Sequence, residues 1–76
     1  MKQKIKEITF KQYVGSRIKW RRNQLDMPLR ELGEIVGLSA SFLSDVENGK
    51  RGISVKNMWS IANTLERKLD WFVAGY

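Results

Sequence analysis

Between Met27 and Gly49, three glycines punctuate two short apolar stripes, and that spacing restricts the segment to a helix, a tight turn and a second helix. Leu29, Leu32, Ile35 and Val36 fall at helical intervals with Arg30, Glu31 and Glu34 between them, which predicts one apolar and one solvated face. Pro28 suits the first turn, where its missing N–H costs nothing. Gly37 follows the last periodic residue directly, where helices end in a left-handed conformation that Gly adopts cheaply. Ser39 or Ser41 can cap the next helix, expected over 41–48, with Phe42, Leu43 and Val46 inward and Asn48–Gly49 at its end. Gly33 in mid-helix costs about 1 kcal/mol against Ala, so a close approach of two helices is expected there.

The remaining residues supply three more helices. Thr9 is placed to cap a helix carrying Phe10, Tyr13, Val14, Ile18 and Leu25, weakened early by Gly15. Ser54 caps another, striped by Val55, Met58, Ile61, Ala62 and Leu65. After the polar break Glu66–Lys68, a short helix carries Leu69, Trp71, Phe72 and Val73. The expected architecture is all-α with five helices: a basic arm over 1–8 and one domain over 9–76. The aromatic residues, including Trp20 and Trp59, are assigned mainly to the core, with Phe42 partly exposed. A chain of 76 residues without Cys or His forms no disulfide and lacks the usual zinc ligands. It has no apolar run of bilayer length and no signal-peptide stretch at MKQKIKEITF, so a cytoplasmic location is expected.

The order Leu32, Gly33, Gly37, Leu43, Ser44, Val46, Glu47, Asn48, Gly49, Lys50 resembles the Cro and phage-repressor helix-turn-helix proteins of the XRE family. The likeness extends upstream through Arg17, Ile18, Lys19, Arg22 and Leu25. Downstream it takes in Ser54, Met58, Ile61, Ala62 and Leu65, then Leu69, Asp70, Trp71 and Phe72, leaving mainly residues 1–15 outside. It implies a lambda-repressor-like fold with helix 41–48 in the DNA major groove. By position, Ser39, Ala40, Ser41, Ser44 and Asp45 would face base edges. Arg17, Lys19, Arg21, Asn48, Lys50, Arg51 and Lys56 would face phosphates. Arg22 and Glu47 match a pair that bridges the first and third helices in the family, with Arg22 shared between that bridge and phosphate. For Ser39 and Ser41, helix capping stands beside base contact, and for Asp45 an internal pairing with Arg stands beside a cytosine contact. No Arg, Gln or Asn occupies the base-reading end, a departure from the many members of the family that have Gln, Arg or Lys there. The chain also has Leu29 where a phosphate-touching Gln is common.

Charge is consistent with this. The net charge is +6, and residues 1–30 hold nine Lys or Arg against two acids, whereas 31–76 hold five against six. Such a cluster favours a polyanion through counterion release. The apolar stretch Leu69–Tyr76, with Trp71, Phe72 and Tyr76, suggests an isologous dimer interface. The expectation is therefore a homodimeric, sequence-specific regulator of transcription, a repressor, on a double-stranded operator, with no cofactor or small-molecule effector. The alternative is a protein-interaction module of the same fold, such as an antitoxin or a phage factor. Catalysis is not expected: there is no His or Cys, no Ser or Lys sits in a recognisable nucleophile context, and Asp45 and Glu47, two apart on a helix, do not share a face.

Overall fold

The computed structural model describes residues 8–76, so most of the 1–8 arm, including Lys2, Lys4 and Lys6, lies outside the described residues. The described residues form five helices in order: α1 (Phe10–Gln24), α2 (Leu29–Val36), α3 (Ala40–Glu47), α4 (Val55–Thr64) and α5 (Leu69–Val73). Helix α1 packs on α3 and α5, α2 packs on α3 and α4, and α4 packs on α5. Val14, Ile18, Leu32, Leu43, Val46, Met58, Ile61, Ala62, Leu65 and Phe72 form one core.

Local chemistry fixes the helix ends. Thr9 caps α1 with a reciprocal box: its Oγ1 accepts from the Gln12 N–H at 3.0 Å, and its own N–H donates to Gln12 Oε1 at 2.9 Å. Ser39, rather than Ser41, caps α3 by accepting from the Phe42 N–H at 3.0 Å, and Ser54 caps α4 through the Asn57 N–H at 3.1 Å. Gly37 ends α2 at φ 77°, and the N–H groups of Gly37 and Leu38 both return to the Gly33 carbonyl.

The close approach anticipated at Gly33 is to the turn rather than to a crossing helix: a Cβ there would collide with the Leu38 carbonyl oxygen. The helix crossing that requires glycine is at Gly15. A Cβ on Gly15 would overlap the Val46 carbonyl and come within 2.7 Å of the Glu47 carbonyl oxygen, so α1 lies directly on the last turn of α3.

Several residues assigned to the core lie at the surface. Ile35 is 55% exposed, Val55 76%, Trp20 55% and Trp59 59%. Ile35, Val55 and Trp59 sit at the edges of their apolar stripes, beyond the width that the neighbouring helix covers, whereas Trp20, two positions from the buried Ile18, faces nearly the opposite way and meets the Trp71 ring at 5.8 Å. Phe72, expected at a dimer surface, is fully buried in the core, because the turn of α5 that leaves Trp71 half-buried points Phe72 inward.

One ion pair among the described residues lies inside. Arg22 Nε and Nη2 donate to Glu47 Oε2 and Oε1 at 2.7 and 2.9 Å, and Nη1 donates to the Met27 carbonyl at 2.8 Å. Both residues are 8% exposed. Removing one partner leaves a buried charge without compensation, at a cost of about 3–5 kcal/mol, whereas an apolar pair of matching volume is often neutral. In urea melts, Arg22→Ala is expected to lose that much stability and Arg22→Met/Glu47→Leu far less. Equal losses in the two proteins would show that the pair contributes packing rather than charge compensation. Gly15→Ala is expected to lose about 1–3 kcal/mol by overpacking, and an unchanged melt would contradict the close crossing.

Candidate nucleic-acid interface

Helix α3 is eight residues long and has one face fastened to the core. Leu43 and Val46 are buried among apolar side chains, and Glu47 is held by Arg22. The opposite face follows from helical geometry: Ser41 and Asn48 are exposed, and Ala40, Ser44 and Asp45 are half-buried. Four of the five residues expected at base edges therefore share one outward surface, while Ser39 sits at its N-terminal lip with its hydroxyl oxygen engaged in the cap. Asn48 is the C-cap residue of α3, on the same side.

The expected phosphate-facing cations divide into two groups. Lys50 and Arg51 are exposed in the loop after α3, and Lys56 is exposed in the first turn of α4. Lys19 is exposed on the stripe of α1 that includes Gln12, Gly15 and Arg22, all of which touch α3 or the loop after it. It therefore flanks α3.

Arg17 and Arg21 are elsewhere. Residues two apart on a helix face nearly opposite ways, so both point away from Lys19 and towards the C-terminal half. Arg17 donates from Nε and Nη2 to the Trp71 carbonyl at 3.1 and 2.9 Å, with its Cζ 3.7 Å from the centroid of the Trp71 ring. Arg21 donates to the Leu65 carbonyl at 2.8 Å and to Gln24 Oε1 at 2.9 Å. Their expected role at phosphates is corrected accordingly: these guanidinium groups tie α1 to α4 and α5. Arg22 is likewise fully engaged by Glu47 and Met27, so its share in phosphate contact is dropped.

The Arg considered from sequence as a partner for Asp45 is Arg51, which approaches it at 3.9 Å and lies 5.4 Å from the centroid of the Phe42 ring. One feature was not assigned from sequence. Lys11 and Arg51 flank a shallow groove of about 180 Å³ floored by Phe10, Val14, Val46 and Ile53. Lys11 precedes Gly15 by four residues, the helical interval that puts it on the α3 side of α1, and that interval was the available signal. Among the described residues, no cluster of three or more acids, His or Cys is arranged to hold a metal, and no helix is long and apolar enough to cross a membrane.

No curated protein sequence matches the chain. Among solved structures, the clp gene regulator ClgR from Corynebacterium glutamicum superposes with a TM-score of 0.85 at 24% identity, over 88% of this chain and 71% of that one. The restriction-modification controller protein C.AhdI from Aeromonas hydrophila gives 0.78 at 24% identity, over 82% and 94%. At these identities the likeness is one of fold. The P22 c2 repressor, solved with a synthetic operator, gives 0.78 at 28% identity, over 86% and 98%. The HTH_3 helix-turn-helix profile matches residues 18–72, from the middle of α1 to Phe72 in α5. With that match spanning more than half of its length, and with α2, the Gly37 turn and α3 in place, the chain belongs to the HTH_3 helix-turn-helix family.

Proposed function

We propose that this protein is a sequence-specific regulator of transcription that places α3 in the major groove of duplex DNA and acts as a repressor by occupying an operator. The observation that carries this reading is the outward face of α3. It is small and polar, fixed from behind by the core, and bordered by the exposed cations Lys19, Lys50, Arg51 and Lys56. The major groove admits an α-helix, and Ser, Ala and Asp side chains on its outward face can meet base edges there. Its similarity to the P22 c2 repressor, solved on a synthetic operator, supports the same reading.

In this reading Ser41, Ser44 and Asp45 meet base edges, Ala40 meets a thymine methyl, and Ser39 adds its hydroxyl proton while its oxygen caps α3. Asn48, Lys50 and Lys56 position the protein on the backbone, with Arg51 exposed beside them. The protein works without cofactor or small-molecule effector, in the cytoplasm, as a homodimer whose half-sites lie about one helical turn apart. Trp71 and Tyr76 remain candidates for the dimer surface, being half-buried and exposed respectively. A second reading, docking of a protein partner, draws on the exposed Val55 and Trp59 of α4.

Selection from a random duplex pool, followed by binding at several salt concentrations, tests the reading. A sequence-selective component supports it, whereas binding that is equal on all sequences favours the protein-docking alternative. On a selected duplex, Ser44→Ala is expected to relax discrimination. Lys50→Ala is expected to weaken selected and random duplexes alike and to reduce the slope of log affinity against log salt by about 1. A change in selectivity from Lys50→Ala alone would mean that α3 is not the reading helix. Sedimentation equilibrium at micromolar concentration checks the dimer: a monomer both with and without duplex would rule it out.

A further inference from the structure

Asp45 is out of place on a surface meant for a polyanion. It lies on the outward side of α3, its side chain is 43% exposed, and the other acid of that helix, Glu47, is buried against Arg22. An acid there repels phosphate at every approach to DNA, on any sequence. The structure holds a compensating group in place through the backbone. Gly49, at φ 76°, turns the chain back, and the Lys50 N–H donates to the Asp45 carbonyl at 2.8 Å, which brings residue 51 beside residue 45. The Arg51 guanidinium then approaches Asp45 Oδ2 at 3.9 Å, with its Cζ 5.4 Å from the centroid of the Phe42 ring. Phe42 thus supplies a surface against which the cation rests.

Resting on the proposed DNA-binding reading, we propose that Arg51 is a positioning residue for Asp45. Held beside the carboxylate and against Phe42, it cancels the acid's repulsion of phosphate and turns the acid into a base-selective contact. The carboxylate has two oxygens. With Oδ2 towards Arg51, Oδ1 is left to accept from an exocyclic amino group, which in the major groove marks cytosine or adenine. Arg51 therefore acts on affinity largely through Asp45 rather than as one more independent phosphate contact.

The test is a double-mutant cycle of wild type, Arg51→Ala, Asp45→Asn and the double variant, measured by fluorescence anisotropy on a pool-selected duplex and on a random duplex of equal length. An exposed pair is worth up to about fivefold in an equilibrium constant. Arg51→Ala is accordingly expected to weaken random-duplex binding about threefold to fivefold more when Asp45 is present than in the Asp45→Asn background. Asp45→Asn alone is expected to tighten random-duplex binding and to lower the selected-to-random ratio. Arg51→Lys, which keeps the charge without the planar fork, is expected to recover the random-duplex affinity but not the ratio. Equal losses from Arg51→Ala in both backgrounds would overturn the proposal, leaving Arg51 as a plain phosphate contact. So would a loss of random-duplex affinity in Asp45→Asn. Both side chains are exposed, and Arg51→Gln provides a second variant should the alanine protein melt early. If wild type binds no duplex at low salt, the DNA-binding reading falls together with this one, whereas binding with an additive cycle removes only this one.

Discussion

The seat of α3 against α1 is the constraint on which the rest of the molecule depends. An isolated helix of eight residues is marginal in water, because nucleation costs more than so few hydrogen bonds return. Its geometry must therefore come from tertiary contact. Leu43 and Val46 supply apolar burial, Gly15 lets the backbone of α1 lie directly against the last turn, and Arg22 grips Glu47 with a two-point fork that also reaches the Met27 carbonyl. The fork joins α1 to the end of α3 and to the loop before α2 in one hydrogen-bonded unit. Rotation of α3 about its axis would break the carboxylate contact and drive Val46 out of the core. The direction in which Ser41, Ser44 and Asp45 point is thus decided on the opposite side of the helix from the one they occupy.

The same logic sorts the positive charge. The run from Arg17 to Arg22 reads as one basic cluster, yet its three arginines are all used inside the molecule, on the Trp71 carbonyl and ring, the Leu65 carbonyl and the Glu47 carboxylate. Lys19 alone in that run is exposed on the α3 side. The chemistry accounts for the division. A guanidinium is planar, weakly hydrated and rich in donors, so it satisfies carbonyls and carboxylates at modest desolvation cost, whereas an ammonium is strongly hydrated and stays in solvent. The charges remaining around α3 are mostly lysines, joined by Arg51, which is itself drawn towards Asp45 and Phe42.

What the sequence makes legible is the local structure. Thr9, Ser39 and Ser54 each accept a backbone N–H three residues on, and Gly37 is left-handed, because caps and turns are decided within four or five residues. The family pattern over 32–50 also places the outward face of α3. Sequence alone is less informative where an outcome depends on a partner distant in the chain. Arg17 and Trp71 lie 54 positions apart, and nothing near Arg17 announces that a carbonyl awaits it. Helix α5 has five residues, too few for a period to separate Trp71 from Phe72, so which of them faces inward is settled by how α5 lands on α1 and α4. Ile35, Val55 and Trp59 follow from the same cause: an apolar stripe shows which side of a helix is greasy, but not how wide a strip its neighbour covers.

The division of charge also bears on how a light reading face can discriminate under the proposed function. Serine and alanine make single, weak contacts, worth less than the bidentate pairs formed by Arg, Gln or Asn. Selectivity, however, is a ratio, and its denominator is non-specific affinity, which grows with the number of phosphates neutralised. Engaging Arg17, Arg21 and Arg22 internally lowers that denominator without adding a base contact, and the acid beside Arg51 lowers it further. Weak readout then needs to exceed only a weak background, and two protomers on a two-fold site would multiply the ratio of each half-site. On this view the internal arginines contribute twice: Arg22 holds α3 at its angle while Arg17 and Arg21 fasten α1 to α4 and α5, and all three keep the protein from adhering to DNA too well to choose among sequences.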